Sequence, residues 1–496
     1  MSETRRLLRG TLAIQAATAV SVVAFLTVAT VLGRRLTLAE FGVYGLALSF
    51  AAYAAFLQGS LEVAAVRAFA ESTDDRMRDR AFTITIRAYS LAGLVAAIFV
   101  AAVGSALLAL FNISSELASE GRRGLVALGL LLAVSWVLRS YHDALQGMQR
   151  FVASAIADSI GYVLFATLVT TLTLSGAQLW LIIAGGGTPM LFSGLICVGV
   201  VRRSGITLKA RRSLLTDEYV AEFRSLALNS LAVGGSDVVI SQFDRAILAA
   251  ITNAATIGLY EAVVRPQLLV RQIHGTLSAT VLPASTAYAA QNDVERTKAL
   301  ALRGTRYVLG AVVPLAVFVA VLAGPLLEVW LGSRYVTAQW SLTIFVAYWF
   351  FGANTGVLGS MIYAHGKAGA LARIAWLIAL ANLIISLALT PLIGLEGVVI
   401  GTTAGYALLF PSFLRLALGT LQLRLRDLVD VAWRPVYPAC FVLGALLVIL
   451  RLTLDDAVTE IVLGAVALAA TYGYLVLVGM DSSERAAFRS VLPERR

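Results

Sequence analysis

Runs of about twenty consecutive apolar residues recur along the whole chain, and each is long enough to cross the roughly 30 Å hydrocarbon core of a bilayer as a helix. In lipid every backbone N–H and C=O must be satisfied within the protein, so such runs fold as helices rather than as loops or open strands. The 496 residues are 59% hydrophobic and 14% charged, against about 25% charged in ordinary soluble domains. That balance excludes a string of soluble domains. The pattern predicts an all-α polytopic membrane protein of about fourteen transmembrane helices. The first six runs lie near 11–32, 41–62, 82–111, 124–146, 154–174 and 179–201, and six more near 225–248, 257–282, 306–331, 337–364, 372–393 and 397–419. A last pair follows near 435–452 and 457–479. The first run, preceded by Arg5, Arg6 and Arg9, exceeds the roughly 7 to 15 apolar residues of a signal-peptide core, so it is expected to stay as the first helix.

The net charge of +10 would suggest nucleic acid in a soluble chain, but the basic residues lie in short loops between apolar runs, where they report orientation. With the N-terminus inside, the outer side holds only Arg34, Arg35, Arg122, Arg123, Arg245, Arg334 and Arg451 of the 39 Lys and Arg. Arg87, Arg139, Arg265 and Arg271 fall within helices, and the rest lie inside. Both termini are therefore expected in the cytoplasm, with the chain in the cell inner (cytoplasmic) membrane. Cys197 and Cys440, the two cysteines, fall inside apolar runs and read as small buried hydrophobes, not as a disulfide or metal framework.

Phe41-Gly42-Val43-Tyr44, opening the second run, recurs as Ile257-Gly258-Leu259-Tyr260, opening the eighth. A repeat of six helices keeps its orientation, so the expected architecture is two six-helix lobes related as a parallel repeat plus a C-terminal helix pair. The corresponding domains are 1–201, a basic cytoplasmic linker 202–224, a second lobe 225–420, an extra hairpin 421–480 and a cytoplasmic tail 481–496.

Soluble chemistry is missing from the motifs. No phosphate-binding loop occurs: His365-Gly366-Lys367-Ala368 lacks both the first glycine and the hydroxyl. Gly185-Gly186-Gly187-Thr188-Pro189 lies within an apolar run and reads as a break in a membrane helix. There is no paired-histidine zinc motif and no nucleophile elbow. Short outer loops leave no room for an extracytoplasmic catalytic domain, so transport without an enzymatic step, and with no metal or cofactor, is the function class that remains.

Charges at membrane depth cost about 2.5 to 3.5 kcal/mol each on insertion scales and need a partner or water. The eighth helix carries most of them. Glu261, Arg265, Gln272 and Thr276 form one stripe, Gln267, Arg271, His274 and Ser278 another, and Pro266 removes a backbone donor between them. A helix polar on two faces lines water or protein. Glu261 and Arg265, four apart, either neutralise each other or face a ligand, whereas Arg271 has no acid at helical spacing. Arg87 lies in the third helix. Arg139, His142 and Asp143 lie near the inner end of the fourth, where Arg139 and Asp143 read as a structural pair or as snorkelling chains. Asp158 lies early in the fifth. Asp237, in Gly234-Gly235-Ser236-Asp237, suits Na+ or H+ coupling as well as a pair with an arginine of the eighth helix.

Three segments carry a family resemblance: Leu32-Gly33-Arg34-Arg35-Leu36-Thr37-Leu38-Ala39-Glu40-Phe41-Gly42-Val43-Tyr44, Gln146-Gly147-Met148-Gln149-Arg150-Phe151 and Phe243-Asp244-Arg245-Ala246-Ile247-Leu248. Ile257-Gly258-Leu259-Tyr260, Ala364-His365-Gly366-Lys367, Asn382-Leu383 and Pro391-Leu392-Ile393-Gly394-Leu395-Glu396-Gly397 extend it. In these the chain resembles the oligosaccharide flippases of the multidrug/oligosaccharidyl-lipid/polysaccharide exporter superfamily. The resemblance implies an inverted-V pair of lobes that opens alternately to each side and moves a polyprenyl-diphosphate-linked glycan outward for surface-polysaccharide synthesis. The implied partners are that glycan, membrane lipids and other membrane proteins of polysaccharide assembly, with no nucleic acid.

A diphosphate suits arginine, which stays charged and binds oxyanions bidentately. The substrate-binding candidates are Arg265 and Arg271, with Glu261, Gln272 and His274 beside them and Arg34, Arg35 and Arg87 behind; Asp237 is the ion-coupling candidate. The alternatives are a cation-coupled multidrug exporter of the same superfamily, which would favour carboxylates over arginines, and a membrane glycosyltransferase or polymerase, which would need acids on a large outer loop.

Overall fold

The computed structural model describes residues 3–279 and 281–479, with side chains described for 9–109, 111–231, 242–279 and 281–477. All regular structure among the described residues is helical. The first unit contains α1 (Glu3–Arg35), α2 (Leu38–Ala70), α3 (Asp75–Ala109), α4 (Ser115–Gly147) and α5 (Phe151–Leu174). These are followed by α6, broken into Leu179–Gly185 and Thr188–Arg203, and by α7 (Asp217–Ile251). Then come α8 (Ala254–Ala279), a short helix Val281–Ala290, α9 (Val294–Val321) and α10, broken into Ser333–Gly352 and Thr355–Ala364. α11 (Ala368–Ile393), α12 (Leu395–Leu421), α13 (Leu425–Thr453) and α14 (Ala457–Gly479) complete the chain.

Among the described residues, ten of these helices are long and apolar enough to span a membrane, twelve if each broken pair counts as one span. The two runs that carry the sequence count to fourteen are α7 and α8. Both are long helices that carry charge within their apolar runs, Asp237, Asp244 and Arg245 in α7 and Glu261, Arg265 and Arg271 in α8. Several boundaries also differ from the apolar runs, because caps set them. Asp74 accepts a 2.7 Å bond from Met77 N–H and starts α3 early; Asp293 does the same for Arg296 and starts α9 at Val294. Thr37 and Glu40 form a reciprocal capping box at α2, worth about 1 kcal/mol.

The chain divides into two compact units, Met1–Glu261 and Ala262–Arg496. The division falls inside α8, because α7 and the start of α8 pack on α2. Gly42 faces the Ala254 carbonyl, and Gly258 faces that of Leu38, so closely that a Cβ at either glycine would overlap it. The two repeated tetrapeptides thus cross one another on their glycines, a close approach that small residues permit. α6 bends by 44° at Gly185-Gly186-Gly187, the break expected from its sequence.

The segment before α7 is strapped to the first turns of α3. Lys209 N–H donates to Asp79 (2.8 Å), Arg211 N–H to Thr83 (2.9 Å) and Arg80 to Thr216 (2.8 Å). The Arg80 guanidinium also lies 3.7 Å from the centre of the Tyr219 ring, so cation–π attraction adds to the strap.

In the second unit Gly397, Gly401 and Gly405 of α12 lie directly on the backbone of α11 at Thr390, Ser386 and Asn382, the small-residue spacing that lets two membrane helices touch. α10 bends by 41° beside Asn354. The side chains of α13 satisfy that break. Tyr437 donates to the Phe350 carbonyl (2.7 Å), while Asn354 donates to the Tyr437 oxygen (3.1 Å) and accepts from Trp433 Nε1 (2.8 Å). The hairpin of α13 and α14 is therefore bonded into its unit, as α14 also shows through the Tyr472 hydroxyl on the Ala311 carbonyl (2.8 Å).

Candidate functional site

Residues 254–261 of α8 close the first unit. Glu261 is fully buried and its carboxylate accepts from Arg245 Nε at 2.5 Å. Arg245 Nη1 reaches Gln242 Oε1 at 3.2 Å, and Tyr260 donates to Asp244 at 2.9 Å. Tyr53 of α2 donates to the Gln242 carbonyl at 2.8 Å, so the α7–α8 corner is hydrogen-bonded to α2. Gly45 lies against the Glu261 carboxylate without room for a Cβ. Sequence spacing offered Arg265 as the partner of Glu261 and placed Arg245 in an outer turn; the fold buries Arg245 and bonds it to Glu261.

The rest of α8 belongs to the second unit. Arg265, Arg271 and His274 are half-buried, Gln267 and Ser278 are buried, and Gln272 is exposed. The His274 ring lies 5.0 Å from that of Trp349. Gly356 of α10 sits where any side chain would collide with His274 and Ser278. His274 Nε2 and Ser278 Oγ are buried with no hydrogen-bond partner among the described residues, an arrangement that favours a ligand or water there.

Of the remaining candidates, Arg34 and Arg35 form the exposed last turn of α1, and Arg87 is exposed on α3. They stand on two helices, α1 and α3. The Asp237 side chain lies outside the described residues.

A second polar centre lies within the first unit. Arg139 of α4 reaches Glu62 of α2 (2.9 Å), Asp143 (3.4 Å) and Asp158 of α5 (4.0 Å). The i,i+4 pair read from sequence is present but is only one part of it, and no single-sequence signal joins Glu62 to Arg139. Ligating atoms of Glu62, His142 and Asp143 lie within 4.8 Å of one another. The Arg139 guanidinium supplies the positive charge among them that a metal ion would bring.

Residues 7–289 match the sequence model described as "Polysaccharide biosynthesis protein". The chain belongs to that family. No curated protein matches it by sequence. Among solved structures, the lipid II flippase MurJ in an inward closed conformation is similar, with a TM-score of 0.73 at 15% identity over 94% of this chain and 98% of MurJ. An inward-facing multidrug resistance MATE transporter of the MOP superfamily gives 0.66 at 14% identity over 81% and 94%. The MATE transporter DinF-BH in complex with R6G gives 0.59 at 13% over 85% and 98%. This member of the polysaccharide biosynthesis family therefore has the MurJ/MATE fold, is a multi-pass membrane protein, and shares that fold with flippases and transporters.

Proposed function

We propose that the chain is a flippase that moves a polyprenyl-diphosphate-linked oligosaccharide from the cytoplasmic to the outer leaflet by alternating access, without a covalent step. The observation that carries the reading is α8. Two half-buried arginines, Arg265 and Arg271, flank Pro266 and Gln267 on a helix too polar to face lipid broadly. Half-buried guanidinium groups suit a diphosphate, whose charge does not vary across the physiological range and whose oxygens accept paired N–H donors. Family membership and the MurJ fold support a lipid-linked substrate, since MurJ is a lipid II flippase. Under this reading the two six-helix lobes of the repeat carry the motion, both termini are cytoplasmic, and the inner membrane is the site of action. The partners are then membrane lipids and the assembly proteins that build and use the glycan. Asp237 is the proposed residue for Na+ or H+ coupling.

The multidrug-exporter reading shares the fold but would place carboxylates, not arginines, before a cationic drug. Proteoliposomes holding a fluorescent polyprenyl-diphosphate glycan decide between them. Wild-type protein is expected to expose the glycan to an outer-leaflet quencher, Arg271→Ala to lose at least about tenfold in rate, a loss of roughly 1.4 kcal/mol, and Arg271→Lys to recover part of it. Export of organic cations without glycan movement would overturn the proposal.

A further inference from the structure

The polar centre around His142 has no part in the α8 reading, and its hydrogen-bond geometry sets a constraint of its own. His142 is fully buried, and both ring nitrogens face carboxylates: Nδ1 is 3.3 Å from Asp143 and Nε2 is 3.0 Å from Asp158. A neutral imidazole donates from one nitrogen only, and an ionised carboxylate only accepts. With a neutral ring and ionised acids, one contact would set lone pair against lone pair in a buried place. The other carboxylate oxygens are already engaged, Asp143 by the Tyr89 hydroxyl (2.6 Å) and Asp158 by the Ser193 hydroxyl (2.5 Å). The geometry is satisfied when the group carries one proton more than a neutral histidine brings.

We infer that His142 and Asp158 form a proton-binding site, loaded from a cavity along α1. That cavity, ≈ 130 Å³, is lined by Thr18 and Ser21 of α1, by Gln146, and by Ser154, Asp158 and Tyr162 of α5. At about 30 Å³ per water it is large enough for a few waters beside Asp158. The charged and titratable groups around the pair come from the neighbouring helices: Glu62 from α2, Tyr89 on Asp143 from α3, Arg139 and Asp143 from α4, and, beside Asp158, Ser193 and Cys197 from α6. With the proton bound, His142 donates from both nitrogens, to Asp143 within α4 and across to Asp158 of α5. Without it, three carboxylates face one guanidinium, two negative charges stand uncompensated, and the Nε2 or Nδ1 contact turns repulsive. Proton occupancy thus biases the packing of α4 on α5, and a pH difference between the two sides of the membrane can act on it.

The test reads the proton directly and does not depend on the glycan. Full-length protein with 15N-labelled histidine side chains is placed in lipid nanodiscs, and ring-nitrogen NMR signals are followed between about pH 5 and 9, the range in which histidine titrates. His274→Gln and His365→Gln each remove one of the other two signals, leaving His142 by elimination. His142 is expected to have both nitrogens protonated at the acidic end and to lose one proton in a single step. That step is displaced in Asp158→Asn and in Ser193→Ala, the smaller change should the first variant not fold. A neutral ring at every pH, or a step unmoved by both variants, overturns the inference. So does a ring signal that responds to added Na+ at fixed pH and not to protons, which would make the group a metal-cation site.

Discussion

Replacing Arg245 by Met should unfold the α7–α8 corner at a cost readable in a single melting experiment. Glu261 is fully buried and Arg245 is 9% exposed, with Nε and Oε1 2.5 Å apart. Gly45 closes over the carboxylate from α2 without room for even a Cβ, so water cannot enter from that side to replace the guanidinium. Removing one partner of a buried pair costs about 3 to 5 kcal/mol, because the other charge is left in a poorly solvated place. Replacing both with apolar residues of similar volume is often neutral or stabilising. The cycle of wild type, Arg245→Met, Glu261→Leu and the double variant should therefore show two strongly destabilised single variants and a double variant near wild type. Thermal and detergent-induced unfolding followed by circular dichroism measures it, and the coupling energy isolates the pair. A single Arg245→Met variant within about 1 kcal/mol of wild type would refute the reasoning, because the buried Arg245–Glu261 bond would then not hold the corner.

Two further outcomes test the packing and the topology. Gly42→Leu should lower the melting temperature, since its Cβ meets the Ala254 carbonyl, an overpacking cost of about 1 to 3 kcal/mol or more; Gly59→Leu, on the same helix with nothing within 4 Å of its Cβ, is the control expected to be near neutral. A cysteine at exposed Ser213, in a background lacking Cys197 and Cys440, should resist membrane-impermeant thiol reagents in intact cells. Labelling from outside would reverse the proposed orientation.

The exposed hydroxyl and backbone N–H of Thr459 hold the Asp456 carboxyl below its usual range at the start of α14. That cap lies in the turn between α13 and α14 and, with Thr37 and Asp74, belongs to the local chemistry that a sequence displays openly: an acceptor side chain three residues before an orphan N–H. Apolar runs and caps are short-range, and so the all-helical membrane class, the course of most helices and the break at Gly185-Gly186-Gly187 were all readable from residue order. The concentration of charge on α8 was readable for the same reason, since helical periodicity places Glu261, Arg265 and Arg271 without reference to any neighbour.

Partners across helices were not readable, because hydrogen bonds and ion pairs join residues by position in space while a single sequence records only spacing along the chain. Glu261 met Arg245, sixteen residues away, and that bond across two helices closes the α7–α8 corner, whereas spacing along one helix pointed only to Arg265. Arg139 gathered Glu62 from α2 and Asp158 from α5 in addition to its neighbour Asp143. The two repeated tetrapeptides, which the sequence showed only as similar, turned out to touch, because both place a glycine where the backbones of α2 and α8 cross. Residue order determined which segments become helices and which of them carry charge; tertiary packing alone decided which charge each one meets, because desolvation at the crossing points leaves a buried ion only the partner that the neighbouring helix brings within reach.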